Sequence, residues 1–356
     1  MSLRRLAQIA VVFGVLAAGV WVVRGKKWEL LRKPTEVAAK SSPAIKPRSA
    51  ADIIPQLKDP PKRTGVTIKD MMAGKVPKLN QLEVEAFLKN HGRSTTNLLA
   101  ASRLLNDLSF AREAAKADPK DPAAQLELVL RGETPEEKSA AITAFRAAAP
   151  DNSLGDYLAA HQAFAVGDAG AAASALAQSL DNPLYADYTQ KILAGSEQAF
   201  LDAGYEATAA FAASLTSLRV EQALAVIDVS HSLMAVQEEF IRSADFDAAE
   251  PTVIIGLTMG QRIQKQGPYN IDQLTGIAIE KMFLQQLDPL TQAGPSGQTA
   301  GERQQLLDAK LLEIKDLSSR YFPVFMQSDD VTQASYLAMV KADGELAAMR
   351  WLVNGK

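Results

Sequence analysis

An uncharged apolar run near the N-terminus constrains this chain more than any other feature. Residues 6–23 (LAQIAVVFGVLAAGVWVV) carry no charge and only one strongly polar side chain, Gln8. As a helix rising about 1.5 Å per residue, the run is about 27 Å long, close to the roughly 30 Å hydrocarbon core of a bilayer. We therefore expect residues 1–23 to form an N-terminal transmembrane anchor.

A cleaved export signal is the main alternative to an anchor, and a buried helix is the other. Arg4 and Arg5 suit both, but residues 20–23 (VWVV) prolong the apolar run beyond the small residues that a cleavage site needs. The basic residues that follow the run favour a cytoplasmic body by the positive-inside rule. A short basic N-terminus, one apolar helix and a long soluble body are instead typical of export-type anchors. We expect a single-pass protein of the inner (plasma) membrane with its body outside the cytoplasm.

Charge divides the rest of the chain. Residues 24–79 contain 14 Lys and Arg against 5 Asp and Glu, a net charge of +9, together with several prolines and few aromatics. Such a segment cannot bury a core, so it predicts a basic, Pro-rich linker that could contact anionic lipid near the anchor. Residues 80–356 have the opposite balance, 22 against 36, or −14. An acidic body repels phosphates, so nucleic acid is not an expected partner.

The acidic part is rich in Ala, Leu, Gln and Glu, shows helical periodicity and contains no convincing alternating strand. The pattern predicts an all-α body. Asn80 is placed to cap a helix that runs to His91, with Gly92 to end it. Thr134-Pro135-Glu136-Glu137 has the form of a capping box with proline at the first helical position.

Turns with proline recur at a nearly constant spacing in the first half of the body. Pro119, Pro150 and Pro183 are separated by 31 and 33 residues, with two short helical stretches between turns. Residues 151–183 show the pattern best, with a Gly167-Asp168 turn followed by Ala172 and Leu176.

These residues resemble the tetratricopeptide (TPR) repeat, a 34-residue helix-turn-helix unit with small residues at the helix crossing and a terminal proline. Residues 94–119 and 122–150 match it more loosely, and Tyr157 is the nearest substitute for the large aromatic of the first helix. The resemblance implies that residues 80–203 form antiparallel helix pairs stacked as a superhelix. It also implies that the first helices line a concave groove, in which Tyr157 and His161 could contact a protein or peptide partner.

Residues 204–356 predict a C-terminal helical region with longer helix pairs. One helix over 218–242 carries a 3–4 stripe of Leu224, Ile227, His231, Met234 and Ile241, so His231 is expected to be a core histidine. A final helix carries Leu337, Val340, Gly344, Ala347 and Trp351 at the same spacing, which predicts one docking face.

Residues with recognisable catalytic spacing are absent from the sequence. No phosphate-binding glycine loop, H-E-x-x-H or G-x-S-x-G motif occurs, and only three histidines and no cysteine are present. The paired acids Asp245/Asp247 and Asp329/Asp330 are expected to serve helix N-termini. We therefore assign no catalytic, cofactor-binding or metal-binding residues.

The sequence favours a membrane-tethered helical scaffold that mediates protein–protein interactions in the bacterial cell envelope. An accessory or chaperone-like factor for envelope protein assembly is the alternative, and an apolar groove would favour it. An enzyme is less favoured. A pocket with convergent carboxylates beneath the loop 288–301 would favour it. The sequence leaves the oligomeric state open.

Overall fold

The computed structural model describes Met71, residues 77–293 and residues 297–355. Within these residues the fold is all-α, as predicted, with two isolated bridges and no strand. The predicted anchor and most of the basic linker lie outside the described residues.

The helices are α1 (Gln81–His91), α2 (Thr95–Leu105), α3 (Leu108–Ala117), α4 (Pro122–Arg131), α5 (Pro135–Ala148), α6 (Ser153–Ala165), α7 (Ala169–Asp181), α8 (Thr189–Asp202), α9 (Ala207–Ser214), α10 (Glu221–Arg242), α11 (Phe246–Gln266), α12 (Asn270–Leu284), α13 (Ala300–Gln327), α14 (Asp330–Asp343) and α15 (Glu345–Asn354).

Side chains at the helix starts satisfy the backbone donors that a helix leaves unpaired. The Asn80 side chain accepts from the Glu83 N–H at 3.0 Å, and Glu83 accepts from the Asn80 N–H at 2.8 Å. Thr134 Oγ1 accepts from the Glu137 N–H at 3.1 Å. Asp245 and Asp329 cap α11 and α14 in the same way. These side-chain caps are confirmed, since a cap depends on neighbouring residues. The capping box predicted at Thr134 forms only in part, because the Glu137 carboxylate accepts from the Glu133 N–H instead of the Thr134 N–H.

Helices that follow one another in the chain pack as neighbouring pairs. The pairs α2–α3, α4–α5 and α6–α7 fall where the repeat predicts helix pairs. In α7, Ala172 and Leu176 are both fully buried. A small side chain at Ala172 therefore occupies the core face of its pair.

Two later helices pack back against the first half of the body. α8 lies against α1 and α2, and α10 lies against α6. The α8–α2 crossing is close, because a Cβ placed on Gly195 would stand 3.0 Å from the Ala100 Cβ. The faces of α2 and α6 that meet these helices are therefore covered by the chain itself.

The C-terminal segment differs from the predicted single helix. It forms two helices, α14 and α15, separated by Gly344 at a φ of 87°. A Cβ at this position would lie 2.8 Å from the Pro268 carbonyl oxygen, which accepts from the Glu345 N–H at 3.0 Å. Only glycine combines the left-handed backbone with this close approach.

One described segment has the length and composition of a membrane span. Residues 207–242 contain an apolar window with a mean hydropathy of 1.2, and half of that window is buried within the body. A core helix of a folded domain meets the same criteria, and α10 packs against α6, α11 and α12.

Candidate interaction surface

The two predicted groove residues have different environments. Tyr157 is 1% exposed, and its hydroxyl accepts from Arg262 Nη1 of α11 at 3.0 Å. The same Arg262 nitrogen donates to the Ser179 carbonyl oxygen of α7 at 2.8 Å. Arg262 therefore connects α11 to both α6 and α7 by hydrogen bonds. His161, one turn further along α6, has a side chain that is 40% exposed. Of the two, only His161 lies at the surface.

Much of the apolar stripe predicted for α10 faces away from the core. Leu224 is 49% exposed, Ile241 is 41% exposed and His231 is exposed, whereas Val226 and Val229 are fully buried. The expectation that His231 is a core histidine is therefore wrong. The buried side of α10 is built from residues that the periodicity did not single out: Gln222, Ala223, Ala225, Val226, Val229, Ser230, Leu233 and Gln237.

The contacts of α10 with several helices explain why part of the predicted stripe is exposed. Because α10 lies against α6, α11 and α12 at once, its core side combines small residues such as Ala223 and Ser230 with larger ones such as Leu233. Leu224 and Ile241 of the stripe remain exposed. Periodicity reports that a helix has two faces, but not which of them another element covers.

We define the outer face of α10 as its outward residues Leu224, Ile227, Asp228, His231, Met234, Glu238 and Ile241. Asp228 Oδ2 lies 3.8 Å from His161 Nε2, which places His161 at the edge of this face. Ile227 and Met234 are half-buried, and Met234 also packs against the core. The surface therefore presents apolar side chains flanked by two acids and two histidines. Leucine, isoleucine and methionine are suited to an apolar partner, because they offer non-directional contact area.

The acidic side chains of the body do not form an evident metal centre. In the described part of the chain, no group of three or more His, Asp or Glu side chains is arranged to hold a metal ion.

Comparison with known proteins returned no match to a family model, to a curated protein or to a solved structure.

A buried carboxyl group at the start of α12 has an unusual protonation equilibrium. Asp272 is 2% exposed, and its Oδ2 accepts from the Tyr269 N–H at 3.1 Å. Burial, together with the negative charges of Asp187 and Glu345, raises the pKa of Asp272 to about 8 despite that hydrogen bond. The folded protein therefore holds a proton on Asp272 at pH values where an unfolded chain, with a pKa near 3.9, has lost it.

This shift predicts a pH dependence of stability. Because the folded state binds more protons than the unfolded state between about pH 4 and about pH 8, Asp272 lowers the free energy of unfolding progressively over that interval. Asp272→Asn retains an acceptor for the Tyr269 N–H but carries no charge. We expect this variant to unfold at a higher urea concentration than the wild type at pH 8, with little difference at pH 4. Equal pH slopes for the two proteins would contradict the assignment.

Proposed function

We propose that the protein is a membrane-tethered helical scaffold, anchored through residues 6–23, that binds a protein partner through the outer face of α10. In this proposal the helix pairs over 80–203 stack in a TPR-like manner. α8 and α10 occupy the concave groove of this stack. The partner therefore binds the outward side of α10 and not the concave groove. The body lies outside the cytoplasm, and the basic linker lies near anionic lipid.

The observation that carries this proposal is the exposure of Leu224 and Ile241 on one side of a helix whose other side is packed. Folding gives no reason to leave Leu224 and Ile241 exposed beside the half-buried Ile227 and Met234 on one helix, whereas a binding surface does. Isolated exposed residues elsewhere, such as Val166 and Leu290, are ordinary for a folded surface.

A second candidate, an accessory or chaperone-like factor in envelope protein assembly, is favoured by the chemistry of the same face. Ile227 and Met234 supplement Leu224 and Ile241, and methionine adapts to differently shaped apolar partners. Such a factor would bind several unrelated apolar segments, while a scaffold would bind one partner.

Site-specific photo-crosslinking in intact cells tests the proposal and separates the two candidates. A benzophenone side chain at position 231 is expected to give one discrete adduct for a scaffold and several for a chaperone-like factor. The control position is Ser174, which is exposed on α7. Adding Leu224→Glu should abolish the adducts at position 231 without changing the melting temperature, because Leu224 is half exposed. Similar adducts at both positions, or none at position 231, would contradict the proposed surface.

A further inference from the structure

Three arginines meet beside the turn that follows α2. Glu127 of α4 connects two of them: its Oε2 accepts from Arg103 Nε at 3.0 Å, and its Oε1 accepts from Arg131 Nη1 at 2.9 Å. Asn106 connects the third, because its Oδ1 accepts from Arg131 Nη2 at 3.3 Å and from Arg219 Nη2 at 3.1 Å. One carboxylate and one amide therefore join three guanidinium groups from separate parts of the chain.

Positive charge exceeds negative charge in this cluster. Glu127 is 1% exposed and both of its oxygens are occupied by arginines. Burial alone would raise the pKa of Glu127, but Arg103 and Arg131 bring it below its usual value. Glu221, a second acid beside the cluster, stands 3.8 Å from Arg219 Nη1 and is 41% exposed, so it offsets the charge of Arg219 only weakly. The inner part of the cluster thus holds three positive charges for one negative charge.

Two donors of the cluster lack an acceptor. Neither Arg103 Nη1 nor Arg219 Nε has a hydrogen-bond partner in the described part of the chain, although both atoms are buried. Arg103 is only 6% exposed as a residue. A buried guanidinium N–H without an acceptor is costly, so an acceptor supplied by a ligand would stabilise this arrangement.

The cluster is open to solvent on one side. Asn106 is exposed and ends α2 in the left-handed conformation, with a φ of 54°. The side chains of Arg219 and Arg131 are 19% and 13% exposed, whereas those of Arg103 and Glu127 are 2% and 1% exposed. The burial of the side chains therefore increases from Asn106 inwards to Arg103.

We propose that Arg103, Arg131 and Arg219 bind a phosphate group at this position. The fork of N–H donors on a guanidinium matches the oxygens of a phosphate, and the excess of positive charge over the buried Glu127 suits an anion. Asn106 positions Arg131 and Arg219 for this role. The phosphate would be either free inorganic phosphate or the phosphomonoester of a lipid headgroup. This inference does not depend on the proposed function of α10.

Isothermal titration calorimetry of the full-length protein in a non-ionic detergent tests the site, with inorganic phosphate as the probe at fixed ionic strength. We expect one saturable site per chain. Arg219→Gln should weaken binding at least tenfold. Arg219 suits the test because it is partly exposed and its loss leaves no buried carboxylate unpaired. An unchanged circular dichroism melt checks that the variant folds.

Arg242→Gln is the matched control, because Arg242 is a 70% exposed arginine paired with Glu239 on the surface. Its phosphate affinity should stay within twofold of the wild type. Glycerol 3-phosphate, a soluble copy of a lipid headgroup, distinguishes the two sources. If glycerol 3-phosphate binds with the same affinity as inorganic phosphate, the result supports a lipid headgroup as the ligand. If only inorganic phosphate binds, the result supports the free ion. Absence of saturable binding for both compounds, or equal affinity in Arg219→Gln, would overturn the proposal.

Discussion

Replacing Arg303 with methionine is expected to lower the free energy of unfolding by about 3–5 kcal/mol. Arg303 of α13 donates from Nε and Nη2 to the two carboxylate oxygens of Glu280 on α12, at 2.7 and 2.9 Å. Glu280 is fully buried, and its other donors are the side-chain amides of Gln261 and Gln264. Without Arg303 the carboxylate would remain buried with no cation bonded to it, since the nearby Lys310 donates to Gln273 instead.

A second arginine on the same helix provides the control. Arg320 pairs with Asp316 one turn away, but both side chains are at least half exposed. Arg320→Met should therefore change the free energy of unfolding by no more than about 0.5 kcal/mol, the usual contribution of an exposed pair on a helix. Urea unfolding at neutral pH measures both variants. An equally small loss for Arg303→Met would show that Glu280 is not held as described.

Adding a single methyl group at Gly260 is expected to destabilise the protein by about 1–3 kcal/mol. A Cβ there would lie 2.7 Å from the Gly276 carbonyl oxygen and 2.7 Å from the Glu280 backbone nitrogen. These are backbone atoms of α12, so α11 and α12 would have to move apart. Alanine is about 1 kcal/mol better than glycine within a helix, but that gain does not remove the overlap.

Gly170 is the control for this substitution. It lies in the first turn of α7, where an added Cβ would meet only Asp168 Oδ1, at an ordinary 3.6 Å. Gly170→Ala should leave the stability unchanged or raise it slightly. Comparison of the two urea midpoints isolates the α11–α12 contact from helix propensity. If both alanine variants were as stable as the wild type, the close approach of these helices would be wrong.

Local features of the fold could be predicted from the sequence. The start of α1 at Asn80, the start of α5 at Thr134 and the caps at Asp245 and Asp329 depend on residues within one turn. The position of Ala172 on a core face follows from its spacing within α7.

Features that depend on distant residues could not be predicted. Tyr157 is buried with the help of Arg262, which lies 105 positions away in the chain. Three neighbouring helices decide which side of α10 is buried. Leu224, His231 and Ile241 of the predicted apolar stripe are therefore exposed. The candidate surface could not be predicted: the repeat pattern named His161 as a groove residue, and only the packing of α10 on α6 places Asp228 of α10 beside it.

A disulfide between α2 and α8 tests most directly the central claim that later helices pack back on the first half of the body. The natural chain has no cysteine, so an introduced pair is the only source of a disulfide. A Cβ at position 195 would stand 3.0 Å from that of Ala100, and a shift of about 0.5 Å reaches disulfide geometry. We expect Ala100→Cys/Gly195→Cys to oxidise rapidly to a species that migrates faster on a non-reducing gel. The pair Ala100→Cys/Ser174→Cys, with its second cysteine at an exposed position of α7, should stay reduced. Failure of the first pair to oxidise, or oxidation of both pairs at the same rate, would contradict the packing of α8 on α2.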